Sequence, residues 1–294
     1  MVLEILEFGF MQRALIAGVA VAITTSVIGL FLVLRRNSLF GDALSHVAFG
    51  GIAIGLVAGI YPLWTGLALS IAGALGITRL RQSTKIPADA TVAILLSSGL
   101  ALGILLVSAS GGFTLDLFSF LFGSILLVSV SDTLAILALA GIILAIVVTL
   151  HKKFMYITFD EEQARVSGLP ISKLNYLFVV LASVAAVVSM RVVGILLVSA
   201  LIVIPNITAL LFGKGFKKTA LISVGVSVFS VLTGISVSYA LNLAPAGTIV
   251  LVSAAVFVAA LAGMQMTKRR KRVRAAAAAA ASAVETTAGQ EGVS

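Results

Sequence analysis

The chain has 294 residues, 60% hydrophobic and 11% charged, with no cysteine and only two histidines. A mean hydropathy of +1.20 excludes an ordinary water-soluble domain, for which about 45–50% apolar residues are typical. The missing cysteines exclude disulfides, thiolate metal sites and iron–sulfur clusters. The net charge of +9 gathers at the ends of apolar runs, which reads as membrane topology rather than nucleic-acid binding.

Runs such as Ala14–Leu34 and Ala246–Met266 exceed the roughly 20 apolar residues that cross a bilayer as a helix. No alternation of apolar and polar residues marks a transmembrane barrel. The fold class is therefore an all-α polytopic membrane protein. Glu4 and Glu7 stand where a signal peptide carries basic residues, so no cleavable leader is expected. Spans are predicted over residues 10–34, 43–60, 63–80, 88–109, 131–150, 173–190, 192–212, 217–240 and 245–266, nine in all.

Basic clusters set the orientation. Arg35/Arg36, Arg79/Arg81/Lys85, Lys152/Lys153, Lys214/Lys217/Lys218 and the run Lys268–Arg274 mark cytoplasmic ends, and Tyr61-Pro62-Leu63-Trp64 an external turn. The N-terminus then lies outside and the C-terminus in the cytoplasm. Arg191 sits on the external side against the charge rule. Residues 115–130 are predicted as a short external or re-entrant helix, because a full crossing would put Lys152 and Lys153 outside. Such backbone is tolerated at membrane depth only when buried in protein or lining a cavity.

Asp42 and His46 are four residues apart at the mouth of the second span, so on a helix they share one face. Two readings stay open for them. They form an intrahelical hydrogen bond at a helix end, or they offer a carboxylate oxygen and an imidazole nitrogen to zinc, manganese or iron. Gly51-x3-Gly55-x3-Gly59 follows and predicts a close helix–helix packing face. Asp89 follows Pro87 and is expected to cap a helix. Asp116 and Asp132 flank the 115–130 element as possible gate residues, and His151 is placed in a cytoplasmic loop. Pro205 interrupts its span and predicts a kink.

The stretch His151–Ser172 is the longest polar one within the bundle. Thr158-Phe159-Asp160-Glu161 reads there as a capping box, and Gly168-Leu169-Pro170 as a helix stop. A short charged helix is therefore predicted over 159–167. No phosphate-binding loop, zinc-protease helix or serine-hydrolase elbow occurs, so no catalytic residue is assigned. Residues 1–267 form the membrane domain. Residues 268–294 form a basic and then Ala-rich cytoplasmic tail, expected to be disordered.

Several stretches together resemble the permease subunits of zinc- and manganese-type ABC importers. They are Phe10–Leu15, Leu34–His46 (LRRNSLFGDALSH), Phe118–Gly123, Ala164–Gly168, Val193–Pro205 and Pro245–Gly247. They occur in the family's order and cover about residues 8–266. The resemblance implies a type II importer permease fold in the prokaryotic cytoplasmic membrane, working as a homodimer. It implies two ATP-binding cassette subunits as partners and an extracellular metal-binding protein that delivers the ion. No permanently bound cofactor is implied: the metal ion is cargo and ATP sits on the partner subunits. Asp42 and His46 would line the metal pathway. The 159–167 helix would couple to the ATPase, with Asp160, Glu161, Glu162 and Arg165 as contacts.

Four positions depart from the family pattern: Gly50 where a Pro often stands, Ser97 for a His, Asn206 for an Ala and Leu243 for an Asp. They leave the metal unassigned. One rival is a secondary transporter driven by an ion gradient, which needs acidic residues deep in the spans. Another is an intramembrane metalloenzyme, which needs a third ligand and a base.

Overall fold

A computed structural model describes residues 8–84, 86–110, 115–124 and 128–291, with the side chains of 115–118 and 269–291 left aside. Lys85, the Asp116 side chain and the side chains of Arg269–Arg274 therefore lie outside the described residues. Every regular element among those described is helical.

The elements run α1 (Gly9–Leu34), α2 (Phe40–Ala58), α3 (Pro62–Ser83), α4 (Ala88–Ala109), α5 (Leu115–Phe122), α6 (Val130–Phe159) and α7 (Glu161–Val166). They continue with α8 (Ile171–Val193), a 3₁₀ turn (Ile195–Leu197), α9 (Val198–Leu211), α10 (Phe216–Leu241) and α11 (Pro245–Glu291). Among the described residues eight helices are long and apolar enough to cross a membrane. In lipid this is the solution that pairs every backbone group within one segment.

The seventh predicted span takes a different form. Residues 192–212 do not form one rod: α8 ends at Val193, Gly194 turns the chain, and Ile195–Leu211 follows as a 3₁₀ turn and a short helix. Gly194 has φ +76, and a Cβ there would meet Gly123 N at 2.5 Å, so only glycine fits this break. Tertiary contact with the end of α5 decides the break, and hydropathy does not register it. The short α5 helix is thereby packed onto protein, as non-spanning backbone at membrane depth requires.

Three further expectations change. Helix α6 has 30 residues, about 45 Å at 1.5 Å per residue. It outruns the bilayer, so His151, Lys152 and Lys153 lie on its last turns rather than in a loop. There His151 Nδ1 lies 2.7 Å from the Val148 carbonyl. The backbone of α11 stays helical to Glu291 over residues expected to fray, in keeping with the high helix propensity of alanine. Asp89 is exposed in the first turn of α4, whose cap position is Pro87.

Helix α2 lies between α3 and α4 at backbone contact distance. A Cβ at Gly51 would meet the Thr65 carbonyl at 2.5 Å and Gly66 Cα at 2.7 Å, and one at Gly99 would meet Val47 Cα at 2.6 Å. Gly55 likewise abuts Thr65 and Pro62. Gly59, the third glycine of the predicted packing face, serves otherwise: at φ +68 it terminates α2, and a Cβ there would meet nothing. The same core extends to α1, α6, α8 and α10 through Phe31, Phe154, Phe178 and Phe216, with ring centroids 5.3–6.1 Å apart.

Chain reversal at each link gives the bundle two ends. Arg35, Arg36, Arg81, Thr158 and Asn175 gather at one, the arginine end. Tyr61, Asp132 and Arg191 gather at the other. Gly99→Leu is expected to cost about 1–3 kcal/mol by overpacking α4 against the α2 backbone. Gly76→Leu, where a Cβ meets nothing, serves as control. Thermal unfolding of the purified chain in detergent checks the pair, and equal midpoints would refute the packing argument.

Candidate functional site

Helix α2 starts at Phe40 near the arginine end, with Asp42 in its first turn and His46 one turn further in. The Asp42 Oδ1 and His46 Nε2 atoms are 3.9 Å apart, and the side chains are 21% and 11% exposed. This separation is beyond hydrogen-bond range, so the intrahelical hydrogen bond considered from spacing does not form. The His46 Nδ1 atom is buried without a hydrogen-bond partner, an arrangement that costs roughly 1–3 kcal/mol. The site thus holds a carboxylate and an imidazole at ion-pair distance but without a hydrogen bond between them, donor types that bind divalent ions. Two ligands at 2.0–2.2 Å from one ion can stand up to about 4.2 Å apart, so one ion can reach both. Among the described residues no group of three or more His, Cys, Asp or Glu surrounds a common point. The pair is therefore an open site, not a closed structural one.

The residues that depart from the family pattern fall in different places. Asn206 is fully buried on α9. Its Nδ2 donates to the Ile202 carbonyl at 2.7 Å, and its Oδ1 accepts from Ser223 Oγ at 2.7 Å. The Ser223 hydroxyl also shares a 2.7 Å hydrogen bond with Ser26. This chain of polar groups ties α9, α10 and α1 together. A Cβ at Gly29 would meet Asn206 Nδ2 at 2.5 Å, so the amide occupies space that a glycine leaves. Asn206 is thus a packing residue, while Ser97 and Leu243 are exposed in the chain.

The short charged helix is present, with corrected bounds and cap. It is α7, Glu161–Val166, and Phe159 ends α6 instead. The N-cap is Asp160, whose Oδ1 accepts from Gln163 N at 2.9 Å. Thr158 is still helical and is used elsewhere: its hydroxyl donates to the Phe154 carbonyl and accepts from Arg35 Nε at 3.0 Å. Leu169 N–H reaches the Ala164 carbonyl at 3.2 Å and Gly168 N–H the Arg165 carbonyl at 3.1 Å, the paired bonds of a Schellman stop. Asp160, Glu161, Glu162 and Arg165 are all exposed, with Glu161 and Arg165 paired at 3.5 Å. Phe159 and Val166 are 63% and 89% exposed beside them. Ala164 is buried and seats the helix.

Sequence reasoning missed a buried ion pair at the opposite end. Arg191 Nη2 lies 3.2 Å from Asp132 Oδ1, with side chains 14% and 2% exposed. Asp132 Oδ2 also accepts from Ser129 N and Oγ at 3.2 and 2.8 Å, completing a capping box at the start of α6. Tyr61 donates its hydroxyl to the same carboxylate. Burial, then the hydrogen bond to Asp132 and its charge, push the Tyr61 phenol up, against the opposing pull of Arg191. The Arg191 guanidinium lies 4.2 Å from the Phe120 ring centroid, a cation–π distance. One signal was available: an arginine on the side where arginine is disfavoured.

Comparison with known proteins places this geometry. The family model of the ABC 3 transport family matches residues 7–264. The manganese transport system membrane protein of Listeria innocua is 35% identical over 253 residues, 86% of this chain and 90% of that protein. A probable iron transport system membrane protein of Haemophilus influenzae is 36% identical, covering 88% of this chain and 96% of that one. Among solved structures, PsaBC from Streptococcus pneumoniae in complex with Fab matches with a TM-score of 0.80 and 31% identity, over 88% of this chain and 95% of that one. An inward-facing putative metal-chelate type ABC transporter, 17% identical with a TM-score of 0.67, shares the fold.

Arg191→Met is expected to destabilise the chain by about 3 kcal/mol, because breaking a buried pair strands the other charge. Asp132→Asn together with Arg191→Met should recover most of that loss. Unfolding midpoints of the three variants in detergent check this; a double variant as unstable as the single one would refute the pairing. Matched over nearly its whole length by the family model, and sharing its helical fold with PsaBC, the chain belongs to the ABC 3 transport family.

Proposed function

We propose that this chain is the permease subunit of an ATP-driven importer for divalent transition metal ions, manganese before zinc or iron. The observation that carries the reading is the Asp42–His46 pair: a carboxylate and an imidazole on one helix face with no hydrogen bond between them, within a family whose relatives are named for manganese and iron transport. A carboxylate and an imidazole suit these ions. Two protein ligands hold an ion weakly enough to release it, as conduction requires. Water, or the same pair from a second copy of the chain, completes the coordination.

The arginine end faces the cytoplasm, since its arginines and lysines follow the positive-inside rule. A delivery protein docks at the opposite end and releases the ion, which passes Asp42 and His46. Helix α7 docks on a separate ATP-binding cassette subunit, and the full importer holds two copies of each. Support comes from its surface: Phe159 and Val166 are exposed beside Asp160, Glu161, Glu162 and Arg165. An apolar anchor ringed by charge is the usual composition of a protein interface. Chemistry on ATP belongs to that partner, so this chain is a transport subunit and not an enzyme. A secondary transporter would leave α7 without a purpose.

In a reconstituted complex, Asp42→Ala and His46→Ala should each reduce radiolabelled manganese uptake to background while the subunits still co-purify. Uptake retained in both variants would remove the pair from the pathway, and unlabelled zinc outcompeting manganese would overturn the assigned cargo. Glu161→Lys with Glu162→Lys should lower co-purification of the ATPase subunit at least ten-fold. Normal assembly and transport in that variant would end the coupling role of α7.

A further inference from the structure

The described charged groups outside the Asp42–His46 pair include two largely but not fully buried arginines, one with a carboxylate partner and one without. Arg191 is neutralised by Asp132. Arg35 has no carboxylate within ion-pair distance among the described residues. It stands one residue beyond α1, with Nε donating to Thr158 Oγ1 and Nη1 to Asn175 Oδ1, both at 3.0 Å. Its guanidinium lies 4.5 Å from the Phe178 ring centroid. The Nη2 atom is buried with no hydrogen-bond partner. Burial lowers the Arg35 pKa to about 10, against an opposing pull from Glu161, so the side chain stays cationic at neutral pH. A buried cation without a counter-ion is costly.

Arg35 lines a cavity of about 480 Å³ that Arg36, Arg81 and Glu161 also line, three cations against one carboxylate. Glu161 also pairs with Arg165 at 3.5 Å in an exposed contact, so its charge is shared. Phe40 and Ala88, the first residues of α2 and α4, border the same space, so two helix N-termini add partial positive charge. Arg36 takes φ +55. Its N–H reaches the Val33 carbonyl at 3.0 Å, and Asn37 N–H the Leu32 carbonyl at 2.9 Å. This is a helix stop whose turning position glycine normally fills. The chain therefore carries an arginine at the cavity rim on a backbone that favours glycine.

We propose that this cavity binds a phosphate-class oxyanion. Arg35 supplies the fixed inner contact, and Arg36 and Arg81 close over the anion from the rim. Planar guanidinium groups suit the oxygens of phosphate. The volume holds a phosphate with its first substituent, and the cavity lies at the ends of helices long and apolar enough to cross a membrane. The anion is either the headgroup of an anionic phospholipid or free phosphate.

The test uses the full chain in nanodiscs and the variant Arg36→Gly with Arg81→Gln. Both side chains are exposed, and glycine suits the backbone at position 36, so the variant should unfold at the wild-type midpoint. Radiolabelled inorganic phosphate is titrated in pure phosphatidylcholine discs. Lipid retained after detergent exchange is counted from discs with equal phosphatidylglycerol and phosphatidylcholine. Saturable phosphate binding, weakened about ten-fold or more in the variant, assigns a free anion. Preferential retention of phosphatidylglycerol by wild type alone assigns a headgroup. Neither effect in wild type, or equal effects in both proteins, overturns the proposal.

Discussion

The close approach of α2 to α3 and α4 is the constraint on which the rest of the molecule depends. In a bilayer no hydrophobic gain draws helices together, so shape and backbone contact must do it. Gly51 and Gly55 let α3 lie against α2, and Gly99 does the same for α4. A helix clamped on two sides cannot easily rotate or tilt to relieve a poor local contact. That rigidity lets Asp42 and His46 stand 3.9 Å apart with a buried nitrogen unpaired, instead of closing into a hydrogen bond. For the proposed role this is an advantage, because a carboxylate and an imidazole without a hydrogen bond between them can engage an ion without first breaking one.

The two ends of the bundle handle charge in different ways. At the Tyr61 end the carboxylate is well satisfied: Asp132 meets Arg191, Tyr61 and Ser129, which ties the start of α6 to the end of α8, while Arg191 Nε stays without a hydrogen-bond partner. The docking of α5 on the Gly194 break stiffens the same region. At the arginine end, charges are left over. Arg35 is largely buried with no carboxylate at ion-pair distance among the described residues and its Nη2 unpartnered, and α7 presents charge and bare apolar side chains together. Unsatisfied groups are expensive to keep, and a protein keeps them where something else arrives to satisfy them. The paired end is built to hold, and the unpaired end is built to be met.

Much of the fold was legible in the sequence because it depends on sums over neighbouring residues. Hydropathy over about 20 positions located the eight long helices, and positive charge located their common ends. Turn chemistry at Gly168-Leu169-Pro170 located the stop of α7, since a Schellman motif needs only local bonds. The site was partly legible: Asp42 and His46 stand out because four-residue spacing guarantees a shared helix face. Where local reasoning erred, two local solutions competed. Thr158 and Asp160 can both cap, and the structure gives the cap to Asp160 because Thr158 is engaged by Arg35 from another helix. Gly59 looks like part of a packing face and instead ends the helix.

By itself the sequence determined the helical membrane class, the chain order of the motifs and the placement of the one Asp–His pair on a common face. These follow from hydropathy, spacing and the absence of cysteine, none of which requires knowing what lies alongside. The tertiary structure alone decided that Asp42 and His46 form no hydrogen bond with each other, that Arg191 finds Asp132 across 59 positions, and that Arg35 finds no carboxylate at ion-pair distance among the described residues. It also decided that residues 192–212 break at Gly194. The physical reason is common to all four. Whether a polar group is satisfied depends on which side chains the packing of distant helices brings within about 3 Å, and spacing along one helix carries no information about that.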